Sequence, residues 1–181
     1  QIFKYIDCLS FIIVSPPGGG KTTLLKDILN HLNKKNIRVC VVDEKDELYN
    51  WRRLDCVDGI IGYPKEKGMM IAIKTLYPQV IVCDEIGSDK DIEAIEKSQS
   101  CGVDVICSVH GNEDLKSIYL KKLLQLKCFK YVIVLNDGSD PGKIKKIQKV
   151  VYANENSRPD NNIYSFECVW DNDEFEIKEK E

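Results

Sequence analysis

The apolar run Phe11-Ile12-Ile13-Val14 leads without a break into Ser15-Pro16-Pro17-Gly18-Gly19-Gly20-Lys21-Thr22-Thr23. An amphipathic stretch follows at once, with Leu24, Leu25, Ile28, Leu29 and Leu32 at helical spacing. The first run reads as a buried strand and the last as a helix with one apolar face. Strand, glycine turn and helix in that order constrain the fold more than any other feature. Glycines let consecutive backbone N–H groups converge without a side-chain clash, and the following helix directs the positive end of its dipole to the same point. The run is close to G-x-x-x-x-G-K-[ST], with Ser15 in place of the first glycine. It predicts a phosphate cradle of Pro17, Gly18, Gly19, Gly20, Lys21, Thr22 and Thr23. Lys21 would reach the β- and γ-phosphates of ATP, and the Thr22 hydroxyl would hold Mg²⁺. Ser15 lies where the loop leaves the strand, so its substitution should change geometry rather than phosphate contacts.

Four further apolar runs resemble the first: Val39–Val42, Val80–Cys83, Val103–Val109 and Tyr131–Leu135. Continuous rather than alternating apolar character means strands covered on both faces. Helical segments near 68–76, 89–100 and 112–126 lie between them, which predicts a parallel sheet with crossover connections. After the turn-rich loop 136–142, two strand-like stretches at 145–153 and 163–170 read as an antiparallel hairpin on the sheet edge. The acid-rich end, 171–181, reads as a solvated strand or tail. The expected division is a core over 1–136 with a hairpin over 137–181 appended to the same domain. Because the chain opens on Gln1, a further N-terminal domain is expected upstream.

ATP hydrolysis needs an oriented water and charge neutralisation rather than covalent chemistry from the protein. Val80-Ile81-Val82-Cys83-Asp84-Glu85 supplies acids at a buried strand end: Asp84 for the Mg²⁺ shell and Glu85 to polarise the attacking water. Two more polar clusters follow strands, where ligands bind in parallel sheets. These are Asp43-Glu44, with Glu44 next in line as base, and His110, placed to sense the γ-phosphate or to link it to a neighbouring subunit. His31 is expected to be solvated. The net charge of −3 disfavours a dedicated nucleic-acid binder. The lysine runs Lys121/Lys122/Lys127/Lys130 and Lys143/Lys145/Lys146/Lys149 lack interleaved aromatics and read as solvated faces. The eight cysteines form no C-x-x-C pair, and Cys40, Cys83 and Cys107 fall inside apolar runs. Buried thiols in a reducing, cytoplasmic compartment are expected, with no transmembrane segment.

Residues 15–28, Val42-Asp43-Glu44, Gly68-Met69-Met70 and the stretch from Ile73 through Asp84-Glu85-Ile86-Gly87 together resemble the stage III sporulation protein AA family of endospore-forming bacteria. The likeness covers about residues 10–135 and reaches His110-Gly111. It implies a RecA-like P-loop NTPase core, α/β with a mostly parallel sheet flanked by helices, related to type II and type IV secretion ATPases. It further implies an ATP-hydrolysing motor subunit in a ring such as a hexamer, acting on membrane-bound channel proteins at the inner face of the mother-cell membrane. Asp43 and Glu44 would correspond to that family's acidic box and His110 to its histidine box. Lys45 and Lys74 stand where family members commonly carry arginine, and lysine cannot make the same bidentate phosphate contact. Arginine occurs here at Arg38, Arg52, Arg53 and Arg158, of which Arg52 and Arg53 are the best candidates for a finger. The rival readings are a nucleotide-holding scaffold subunit with little turnover and a P-loop kinase.

Overall fold

A computed structural model describes residues 2–49, 54–136, 141–153 and 164–171. The order of elements is a 3₁₀ turn (Ile2–Lys4), β1 (Phe11–Ser15), α1 (Lys21–Lys34), β2 (Val39–Asp43), β3 (Val57–Ile61), α2 (Lys65–Thr75), β4 (Val80–Glu85), α3 (Asp89–Ser100), β5 (Asp104–His110), α4 (Ile118–Gln125), β6 (Tyr131–Leu135), β7 (Ile144–Tyr152) and β8 (Tyr164–Asp171). All eight strands join one sheet in the order β3-β2-β4-β5-β1-β6-β7-β8. The pairings from β3 to β6 are parallel, and β7 and β8 add antiparallel ribs beyond β6. The expected α/β core with an antiparallel C-terminal hairpin is therefore what the chain builds.

Alternation along each strand divides the core in two. Ile12, Val14, Cys40, Val42, Ile81, Cys83, Cys107 and Val109 face one way, against Met69 and Ala72 of α2, Ala94 and Ile95 of α3 and Leu120, Leu123 and Leu124 of α4. Phe11, Ile13, Val39, Val41, Val80, Val82 and Ile106 face the other way, against Leu24, Leu25, Ile28, Leu29 and Leu32 of α1. Three helices cover one face, and α1 with the N-terminal turn covers the other. This double cover is why the central strands are apolar at every position.

The structure departs from the expected elements in two places. The strand β3 was not anticipated: Val57-Asp58-Gly59-Ile60-Ile61 sits on the sheet edge, where only Val57 and Ile60 are buried. The helix expected from 112 begins only at Ile118, because Leu115 takes a left-handed φ of 54° and Asp114 accepts a hydrogen bond from the Lys116 N–H. The acid-rich end beyond Asp171 lies outside the described residues. Cys40, Cys83 and Cys107 are buried as expected, and burial pushes the Cys40 thiol up to about 12. No helix among the described residues is long and apolar enough to cross a membrane.

The helix α2 lies tight on β2 at Gly68, where an added Cβ would come within 2.5 Å of the Val42 Cγ1 methyl. Gly68→Ala sets a helix-propensity gain of about 1 kcal/mol against overpacking of about 1–3 kcal/mol beside a stiff, fully buried valine. The clash wins, so urea unfolding of Gly68→Ala should give a net loss of up to about 2 kcal/mol. A more stable variant would show that α2 slides freely on the sheet.

Candidate functional site at the glycine loop

The strand β1 lies inside the sheet between β5 and β6, and its chain continues to one side through α1 while β6 is reached from the other. Such a reversal opens a crevice at the carboxyl ends of the strands. The loop of Pro16–Gly20 sits there. Gly18 and Gly20 take φ of 74° and 87°, a conformation that favours glycine. Gly19 is buried, and a Cβ on it would strike the Ser15 hydroxyl. Ser15 is itself buried, and its Oγ donates to the Pro16 carbonyl at 2.8 Å. Ser15 thus acts on the geometry of the turn, as expected from its place in the sequence.

The first turn of α1 has N–H groups with no intrahelical acceptor. Its N-cap is Gly20, which offers no side-chain cap, and no acid lies in the turn. By contrast, α3 closes its own start with a capping box between Ser88 and Asp91. The open N-terminus of α1 and the positive-φ glycines make a cradle suited to an anion.

Lys21, Glu85 and His110 meet beside this cradle. Lys21 Nζ lies 3.1 Å from His110 Nδ1 and 3.7 Å from Glu85 Oε2. His110 Nε2 lies 2.7 Å from the same carboxylate oxygen. An ammonium can only donate, so Nδ1 accepts from Lys21 and Nε2–H donates to Glu85, which assigns the neutral Nε2–H tautomer. Both contacts use Glu85 Oε2. A register shift between Val82 and Glu85 sets Glu85 opposite Ser108, so the strand end is turned from regular pairing where the acids sit. Asp84 is half-buried and stands beside Glu85 at the end of β4. Thr22, also half-buried, stands in the first turn of α1. One hydroxyl and one carboxylate fit Mg²⁺, which keeps water and phosphate oxygens in its shell. Among the described residues no three His, Cys, Asp or Glu side chains form a protein-only cage.

The structure does not bring the acidic pair after β2 to this cluster. Asp43 is fully buried and accepts from the N–H groups of Glu47 (3.1 Å), Leu48 (2.6 Å) and Tyr49 (3.0 Å). It folds its own loop. Glu44 is exposed and pairs with Lys65 of α2 at 3.2 Å. Lys45 and Lys74 are exposed, and Arg52, Arg53 and Arg158 lie outside the described residues. Lys145 and Lys146 are not a free basic face: both bond Glu113, at 2.7 and 3.2 Å.

Two features escaped the sequence reading. Gly142, in the β6–β7 connection, donates its N–H to the Gly19 carbonyl at 2.9 Å and abuts Gly20 so closely that a Cβ there would collide with it. From Gly142 a groove of about 970 Å³ runs along α1, walled by Phe3, Tyr5, His31 and Trp170. His31 is therefore not simply solvated. It stacks on Phe3 with ring centroids 4.2 Å apart, and burial, with Lys35 and Lys34 nearby, pushes its pKa down. An apolar wall against α1 explains the pairing, but nothing local to the His31 sequence signals it.

A family model described as "Sporulation stage III, protein AA" matches residues 1–154. Stage III sporulation protein AA of Bacillus subtilis (strain 168) is 32% identical over 77% of this chain and 50% of that protein. The chain thus spans half the length of that relative. Among solved structures, the Legionella pneumophila ATPase DotB superposes with a TM-score of 0.57 at 17% identity, over 99% of this chain and 51% of that one. The pilus retraction motor PilT with bound ADP gives 0.55 at 14% identity, over 91% and 48%. At these identities the likeness establishes the fold.

The differing roles of the two acids after β2 can be separated by stability. Asp43→Ala leaves three N–H groups without their acceptor and should cost about 2–4 kcal/mol in urea unfolding. Glu44→Ala removes one exposed ion pair and should cost under about 1 kcal/mol. Equal losses would contradict the structural role of Asp43.

Proposed function

The chain belongs to the stage III sporulation protein AA family, and from that premise we propose that it is a motor subunit that binds ATP at the glycine loop and hydrolyses it. The meeting of Lys21, Glu85 and His110 beside the uncapped start of α1 carries this reading. The loop N–H groups and Lys21 bind the phosphate chain. A γ-phosphate draws Lys21 away from Glu85 and frees that carboxylate for water. Glu85 orients the water and accepts its proton as the water oxygen bonds to the γ-phosphorus, while the bond from that phosphorus to the β,γ-bridging oxygen breaks and ADP leaves. His110, through Nε2–H, holds Glu85 in position. Thr22 and Asp84 would hold Mg²⁺, which would supply charge neutralisation on the phosphate oxygens. The nucleobase enters the groove beyond Gly142, where Phe3, His31 and Trp170 offer stacking surfaces. The motor works as a homo-oligomeric ring, of which a hexamer is one form, with membrane-bound channel proteins of sporulation as its partners, on the cytoplasmic side of the mother-cell membrane.

A general base contributes about 10²–10⁴-fold to a rate. Glu85→Gln should therefore retain ATP and lose at least about a hundredfold in turnover, whereas Lys21→Ala should lose ATP binding with the fold intact. Steady-state hydrolysis and equilibrium binding on the same samples check both. Wild-type turnover by the Glu85→Gln protein would move the base elsewhere, and binding without turnover by the wild type at every protein concentration would favour the scaffold reading.

The chain has two tryptophans, so Trp51→Phe leaves Trp170 as the only one. ATP should then alter the Trp170 emission, and tripolyphosphate alone should not. An emission indifferent to ATP at saturation would remove the base from the groove.

A further inference from the structure

Among the described residues, two buried side-chain oxygens or nitrogens have no hydrogen-bond partner, and one of them is the hydroxyl of Ser108. Ser108 is fully buried in β5. A buried hydroxyl is normally satisfied, and one that is not calls for a physical account such as an ion or a water held there. Its position supplies that account. The strand β5 lies between β1, which delivers the glycine loop, and β4, which ends in Asp84-Glu85. In register, Ser108 stands beside Ile13 on one side and Glu85 on the other. Alternation along β5 sends Cys107 and Val109 to the face covered by α2, α3 and α4, and Ile106 to the face covered by α1. Ser108 therefore shares the α1 face with the buried Ser15 at the root of the loop, and it stands opposite Glu85. Its main chain is fixed as well, because the Ser108 carbonyl accepts the Ile86 N–H at 2.8 Å just past the acid pair.

We propose that Ser108 is a positioning residue whose hydroxyl holds the water shell of the divalent cation that accompanies the nucleotide, from the strand between the glycine loop and the Asp84-Glu85 pair. The inference rests on the ATP reading above. It adds a group from the strand between the two motifs, and it gives a function to a hydroxyl that a Val or Cys would otherwise replace in an apolar strand. Groups that orient a metal's ligands and waters are worth about 10–100-fold in metal affinity when removed.

The test is a Mg²⁺ titration of binding of a fluorescent ATP analogue, run beside binding in EDTA, for wild type, Ser108→Ala and Ser108→Thr. Ser108→Ala should need roughly tenfold more Mg²⁺ for half of the Mg²⁺-dependent gain in affinity. Its affinity in EDTA should match the wild type, and Ser108→Thr should restore the wild-type midpoint. An unchanged midpoint, or equal losses with and without Mg²⁺, overturns the proposal in favour of a hydroxyl that serves only packing or a structural water. Wild-type binding indifferent to Mg²⁺ overturns it too. Should Ser108→Ala fail to fold by circular dichroism, Ser108→Cys, close in size and a poor hydrogen bonder, carries the same expectations. A wild type that binds no analogue in either medium sinks the ATP reading itself, a result distinct from all of these.

Discussion

The glycine loop is held from both sides, and the rest of the site follows from that clamp. Below it, the Ser15 hydroxyl fills the space that a side chain on Gly19 would need. Above it, Gly142 donates to the Gly19 carbonyl and lies against Gly20. A loop fixed at its root and at its crest delivers Lys21 to one place, where Glu85 and His110 meet it. Neither Gly19 nor Gly20 could carry a side chain there. The loop is thus tied to the β6–β7 connection, and through it to the hairpin that continues the sheet.

The second dependence is on the order of the strands. Adjacent strands lie about 4.8 Å apart. With β5 alone between β1 and β4, the acid pair of β4 ends about 10 Å from the strand that carries the loop. His110, on the intervening β5, fills that span, and its ring nitrogens face Lys21 and Glu85 in turn. The end of β5 is also tied to the end of β1, since the Gly111 N–H donates to the Ser15 carbonyl at 3.2 Å. The cluster is therefore built on three strand ends and one helix start rather than on free loops.

Much of this was legible. Strands covered on both faces announce themselves as unbroken apolar runs, and β1, β2, β4, β5 and β6 were all visible for that reason. The edge strand β3 was not, because an edge relaxes the demand for apolar residues and admits Asp58 and Gly59. The phosphate cradle was legible because its chemistry is local: glycine backbone, helix start and lysine are consecutive. Gly142 was not, because its meaning comes only from contact with residues far from it in sequence. The Phe3–His31 stack belongs to the same class.

The acid pairs mark the limit most clearly. Val41-Val42-Asp43-Glu44 and Val82-Cys83-Asp84-Glu85 are nearly the same text, each an apolar strand closing on Asp-Glu. The sequence ranks Asp84-Glu85 first and keeps Asp43-Glu44 as a second candidate for the same phosphate. Strand order separates them. The strand β2 lies three places from β1, about 14 Å away, beyond the reach of Lys21, whereas β4 lies two places away. Freed from the site, Asp43 turns back to accept three N–H groups of its own loop, and Glu44 finds Lys65. Local sequence sets what a strand end can do, but its place in the sheet decides which strand end meets the cradle. That place is fixed by the crossovers of α1, α2 and α3, whose apolar faces carry no record of the site they assemble.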